Sequence, residues 1–298
     1  MYDVMGVEIE LGESVALGSL RLYPLTTRQV TLPPYLTGPE ASALGRMQVA
    51  ELDPPEVPFL AVTNLAEVPI LLVEGEMLVG GDQDRTMNVT VLCPPLETTV
   101  VPVSCVEAGR WGARRTMAST GRHAPGSLRS RKTRSQTPMS DPAYARMSDQ
   151  GEVWRSVDSI AEAQGVTSDT SALEDVHRAA GDRIALELAL LTPAPGQTGV
   201  LVLNGGRVVG MDLFSRPETL ACYLSAIVAG HALDSAEAAD GADPLAAITK
   251  FLAQVGATDQ ETGVGVGLGE EVVLRGGISG VGLTYEGTLV HLAAFPGE

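Results

Sequence analysis

Glutamates flank a glycine at Glu74-Gly75-Glu76, and the chain then adds Gln83, Arg85 and Asn88. Farther on stands Glu107-Ala108-Gly109-Arg110-Trp111. No other stretch combines acids, amides and guanidinium groups so densely with strand-forming residues. On a strand, residues two apart share a face, their Cα atoms about 7 Å apart. Glu74 and Glu76 so placed could hold a cation, or split their pKa values into an acid and a base. The plainer reading, two solvated carboxylates on an exposed face, stands slightly ahead because no histidine is near in sequence. Gln83, Arg85 and Asn88 supply donors for carboxylate, phosphate or sugar hydroxyls. Arg85 beside two glutamates reads equally as a structural ion pair, since buried charges are usually paired. Glu107, Arg110 and Trp111 offer an acid, a bidentate donor and a planar surface, a set suited to an anion with a flat ring such as a nucleotide. The alternative is Trp111 packed as a core plug with Arg110 stacked on it. The expected set is therefore Glu74, Glu76 and Glu107 for acid–base work, and Gln83, Arg85, Asn88, Arg110 and Trp111 for the ligand. Glu74, Arg85, Glu107 and Arg110 are expected to converge where neighbouring strands end.

Other reactive residues carry weaker signals. Cys105 lies among valines, and burial as a small hydrophobe is favoured over a role as nucleophile. His123, His177, His231 and His291 are far apart and form no HxxxH or HxH set, so no metal site is expected. His177 falls beside the apolar stripe of a helix and reads as an ordinary surface histidine. Gly263-Val-Gly-Val-Gly267 lacks the Lys-Ser/Thr of a phosphate loop. No cofactor is assigned.

The elements that must position these residues follow from periodicity. Three strands around Ile70–Val73, Val89–Cys93 and Thr98–Val106, joined by short turns, predict a meander. Alternation before residue 30 predicts two strands, and Pro39 opens a short helix over Glu40–Leu44. Helical spacing predicts Asp149–Gln164 and Ser171–Leu191, the latter capped by Ser168 or Asp169. Asn204-Gly205-Gly206 between apolar runs is a hairpin signal. Helices over Glu218–Leu233 and Ala242–Val255, then Gly-rich strands, close the chain. Strands and helices come in blocks rather than in alternation, so the fold class is α+β with mainly antiparallel sheet. One domain over 1–298 is expected, interrupted by a basic, mobile loop at 112–149, where Gly, Ser, Arg and Pro leave little hydrophobic periodicity.

Composition narrows the function classes. The net charge of −17 argues against general DNA binding. Three cysteines without metal or redox spacing, no basic-then-apolar leader and no long apolar run predict a cytoplasmic chain without a membrane span. Yet no acid occurs between Glu107 and Asp141, an interval that holds eight of the 20 basic residues.

The motifs LLVEGEMLVGGDQDR, PVSCVEAGRW and GVLVLNGGRVVGMDLF together resemble the bacterial ADP-ribosylglycohydrolase- and rhodanese-phosphatase-superfamily-associated protein domain family. The resemblance spans most of the chain and implies association with ADP-ribose or phosphate-ester chemistry. Glu74, Gly75, Gln83, Arg85, Asn88, Cys105, Glu107, Arg110 and Trp111 would be the shared set. The expected partner is an anionic small molecule of nucleotide or ADP-ribose type, bound and, in one version, processed. The alternative is a non-catalytic accessory protein that docks a protein or RNA through its basic loop and acidic body. The sequence leaves catalysis open.

Overall fold

The computed structural model describes residues 1–28, 32–110, 116–136, 146–234 and 243–297. The chain opens with β1 (Tyr2–Val4), β2 (Val7–Leu11), β3 (Val15–Leu17) and β4 (Leu20–Thr27), followed by β5 (Leu36–Thr37) and α1 (Gly38–Ala43). Then come β6 (Met47–Ala50), β7 (Phe59–Asn64), β8 (Ile70–Leu72), β9 (Glu76–Val79), β10 (Arg85–Met87), β11 (Val91–Cys93), β12 (Thr98–Cys105) and β13 (Ala118–His123). Three helices follow: α2 (Gly126–Ser135), α3 (Gln150–Ala163) and α4 (Leu173–Leu188). The hairpin β14 (Gly199–Asn204) and β15 (Arg207–Phe214) leads to α5 (Pro217–His231) and α6 (Pro244–Ala257). Strands β16 (Gln260–Val264), β17 (Glu270–Leu274), β18 (Ile278–Tyr285) and β19 (Thr288–Pro296) close the chain.

The fold is α+β, with antiparallel sheets curled into half-barrels and six helices among the described residues. The largest sheet runs β1-β2-β4-β14-β15-β19-β18-β17-β16, with β3 beside β4. A second runs β13-β9-β10-β12-β7-β6, and a third β11-β8-β5. Strand β14 shows why the large sheet needs cover on both sides. Its run Val200-Leu201-Val202-Leu203 is wholly buried. Alternate residues face opposite ways. Leu201 and Leu203 join Ile248, Phe251 and Leu252 of α6, and Val200 and Val202 join Leu220, Leu224 and Ile227 of α5. Another core fills the second sheet around Leu60, Leu78 and Val103. A fourth packs α3 and α4 against Val106 and Leu128.

Three sequence expectations need correction. The meander is five short strands divided between two sheets, because Gly75, Gly80 and Gly81 adopt positive φ and turn the chain sharply. Within the interval expected to be a mobile loop, β13 pairs with β9, and α2 is a helix packed against α3 and β18. Residues 112–115 and 137–145 of that interval lie outside the described residues. His177 is not a surface residue: it is buried, with Nε2 3.1 Å from the carbonyl oxygen of His123. The Pro39 helix is present, closed by a capping box between Thr37 and Glu40.

Candidate functional site

The turn Val73-Glu74-Gly75 carries Glu74 into the interior, where α2 meets it. From α2, the Arg129 Nε donates to Glu74 Oε2 at 2.8 Å. Its Nη1 and Nη2 donate to the two Asp212 oxygens of β15 at 2.9 and 2.6 Å. One turn later, Lys132 Nζ lies 2.9 Å from Glu74 Oε1 and also donates to the Met87 carbonyl. All four side chains are fully buried. The two cations and two carboxylates balance, which is what allows so much charge in the interior. Burial pushes the Glu74 and Asp212 carboxyls up, but their charged and hydrogen-bonding partners, Arg129 with Lys132 for Glu74 and Arg129 with His291 for Asp212, together hold both below the ordinary carboxylate range. Burial draws the Lys132 ammonium down, against the pull of Glu74.

Three of the four histidines gather at this centre. His291 of β19 lies 3.2 Å from Asp212 Oδ1 through Nε2, and 2.7 Å from Thr90 Oγ1 through Nδ1. Thr90 Oγ1 in turn accepts from the Glu74 backbone N–H at 3.1 Å. With the His291 proton on Nε2, the chain of donors closes: Glu74 N–H to Thr90, Thr90 O–H to His291, His291 to Asp212. His123 and His231 differ. Both are buried, and all four of their ring nitrogens have no hydrogen-bond partner. Burial, reinforced by Arg129, lowers both pKa values, that of His231 to about 4. Both rings are therefore neutral near pH 7. Gly75 and Gly126 make room for them: a Cβ on Gly75 would lie 2.4 Å from the His123 ring, and one on Gly126 2.3 Å from the His231 ring.

Glu76 sits apart from Glu74. Its Oε2 accepts from Val73 N–H and Tyr223 O–H, each at 3.0 Å, and its Oε1 from Ser119 Oγ at 2.5 Å. Burial raises its pKa to about 7 against these three donors. The reading of Glu74 and Glu76 as a solvated pair on one strand face is therefore overturned, since both are buried and they serve different networks.

The structure brings Glu107 and Arg110 together. The Arg110 Nε lies 2.9 Å from both Glu107 oxygens, its Nη2 3.0 Å from Asp84 Oδ1, and its Nη1 2.7 Å from the Gly81 carbonyl oxygen. Nearby, Arg85 Nη2 reaches Glu51 at 3.4 Å and Nη1 reaches Gln83 at 3.5 Å, both long, while its Nε has no partner. Gln83 Nε2 approaches the Ala108 carbonyl at 3.4 Å. Asn88 accepts from Ser104 at 2.7 Å and donates to the Arg146 carbonyl at 2.9 Å. Glu74 does not join these residues; its bonds all run to the Arg129 centre. Trp111 lies outside the described residues. Cys105 is buried, and that burial raises its pKa to about 11. Among the described residues no three His, Cys, Asp or Glu side chains stand close enough to hold a metal ion.

Over the centre, the outward face of α2 borders two clefts. One, of about 360 Å³, is lined by Gly126, Ser127, Ser130, Arg131, Asn204 and Asp234 among others. The other, of about 680 Å³, is lined by Arg131, Arg134, Asp149 and Glu152. Arg131 is exposed where they meet and donates to Ser156 at 3.1 Å. Sequence reasoning missed Arg129, Lys132, Asp212 and the histidine cluster. The available signal was an acid-free basic run in a strongly acidic chain, whose positive charges needed interior carboxylates.

A mainly antiparallel α+β fold wrapped around a buried Arg–Asp–Glu–His centre defines the class. Residues 8–295 match the model of the ARPP-1 family, the ARG and Rhodanese-Phosphatase-superfamily-associated Protein domain, and the chain belongs to this family. No curated protein and no solved structure matches the chain. No described helix is long and apolar enough to cross a membrane.

Proposed function

We propose that the protein binds a phosphate-bearing small molecule of the nucleotide or ADP-ribose kind in the α2 cleft. The carrying observation is Arg131, an exposed guanidinium at the junction of two clefts, on a helix anchored from beneath by Arg129 and Lys132. A planar guanidinium suits a phosphate bidentately, and the Ser130 hydroxyl, which also lines the smaller cleft, is a further donor. This reading moves the phosphate role from Arg85 and Arg110, which hold carboxylates in the structure, to Arg131. The family's description names an association with a phosphatase superfamily, whose substrates carry phosphate. The buried centre beneath the cleft keeps α2 in place.

Calorimetric titration with ADP-ribose, AMP and inorganic phosphate tests the reading. At least one should bind, and Arg131→Ala should weaken it roughly tenfold or more, the loss of a charge-assisted pair. Absence of binding by all three, or equal affinity in the variant, would overturn it.

A further inference from the structure

The basic run of α2 faces two ways. Arg129 and Lys132 point inward, and both reach the Glu74 carboxylate, at 2.8 and 2.9 Å. Two cations three residues apart on this helix thus converge on one small anion, as neighbours on one helical face can. Arg131 and Arg134 repeat the same spacing on the outward face. Both are exposed, and both line the cleft of about 680 Å³. Arg134 folds back along the helix, its Nη1 donating to Ser130 Oγ at 3.1 Å. That bond draws its guanidinium toward the turn that carries Arg131, and Ser130 and Arg131 line the smaller cleft together. No acid occurs within α2.

Two guanidinium groups so placed define what they can receive. Each planar fork takes one phosphate bidentately. A single phosphate occupies one fork. Two phosphates joined through a shared oxygen can occupy both, since side chains three apart on a helix start about 5–6 Å from each other. The rest of the lining keeps such a ligand on the α2 side. Asp149 and Glu152, at the start of α3, also line the cleft, and their carboxylates repel phosphate. Asp149 is engaged as the cap of α3, accepting from the Glu152 N–H at 3.0 Å. Gly276 and Gly297 complete the lining, and without side chains they leave the cleft open.

We infer that Arg131 and Arg134 form a clamp for the two phosphates of a diphosphate group, so that the cleft selects diphosphates over monophosphates. This rests on phosphate binding by Arg131, as read above. Calorimetric titrations with inorganic pyrophosphate, orthophosphate and citrate test it. The intact protein should bind pyrophosphate about tenfold or more tightly than orthophosphate, the worth of one further charge-assisted pair. Citrate, highly charged but without linked phosphates, should bind no better than orthophosphate. ADP and AMP should follow the order of pyrophosphate and orthophosphate. Arg134→Lys keeps the charge and loses the fork, so the preference for pyrophosphate should fall to about twofold or less. Because Arg134 is exposed, this substitution leaves the core untouched. Equal affinity for pyrophosphate and orthophosphate, citrate binding as tightly as pyrophosphate, or a preference unchanged in Arg134→Lys overturns the clamp and leaves phosphate binding by Arg131 standing. Absence of binding by both phosphates and both nucleotides overturns both.

Discussion

Glu76 titrates where a carboxylic acid ordinarily does not. Its pKa rises from 4.5 to about 7 on burial. The folded state therefore holds this proton more tightly than the unfolded chain does. Stability from Glu76 is full below about pH 4.5, declines as pH rises through the window to 7, and is then flat. The whole effect is on the order of 3 kcal/mol, from about 1.4 kcal/mol per unit. We predict that Glu76→Gln, which keeps the shape and removes the charge, flattens this slope. Urea unfolding at pH 5 and pH 8 checks it, and an unchanged slope in the variant would refute the assignment. Asp234, raised to about 6 by burial, adds a slope of the same sign, so the comparison must be between wild type and variant. At Arg129 the question is charge. Removing it leaves Asp212 and Glu74 buried without their main partner. We expect Arg129→Met to cost about 3–5 kcal/mol, read from the urea midpoint. A loss below about 1 kcal/mol would mean that water or Lys132 replaces it. None of this was visible in the residue itself, because an arginine in a serine- and glycine-rich run ordinarily reads as solvated.

Helix α2 shows why a segment can be misread as a loop. Leu128, Arg129, Lys132, Thr133 and Gln136 are its buried residues or continue that face. Their spacing is helical, but four of the five are polar. A search for apolar periodicity passes over them. The opposite holds for α3, where Val153, Val157 and Ile160 make the inward face and the sequence reading matched. The strands with alternating or continuous apolar residues, β14 and β15, were equally legible, and the glycine turns that divide the expected meander were not. The same element makes a protease prediction. Basic loops are cut readily by trypsin, yet Arg129 and Lys132 sit inside a helix with buried side chains. We expect limited trypsinolysis to spare the bonds after both residues while the fold persists; early fragments ending at Arg129 or Lys132, found by mass spectrometry, would show that α2 is not docked. Packing tests the same point. A Cβ on Gly126 meets the His231 ring at 2.3 Å, so Gly126→Ala should destabilise by about 1–3 kcal/mol through overpacking, lowering the melting temperature.

Across the whole molecule, the buried centre joins parts far apart in sequence: Glu74 from the β8–β9 turn, Arg129 from α2, Asp212 from β15 and His291 from β19. Such spacing explains why the site was only partly legible. Local motifs located Glu74 and the Glu107–Arg110 pair, but no local pattern links residues 74, 129, 212 and 291. Because these contacts tie the large sheet to α2 and to the turn, unfolding should be one event. We expect near-ultraviolet and far-ultraviolet circular dichroism to give coincident urea transitions; two separated transitions would divide the chain into independent units. The large sheet also has an open end. Strand β16 pairs with β17, all five of its residues are exposed, and Glu261 within it reaches Arg275 at 3.5 Å. An outermost strand offers unmatched backbone donors and acceptors to any similar chain. In a solution crowded with copies of itself, Glu261, with Asp259 just before it, would set like charges against each other as two such margins met. Replacing Glu261 by valine would turn this margin from a boundary into a template.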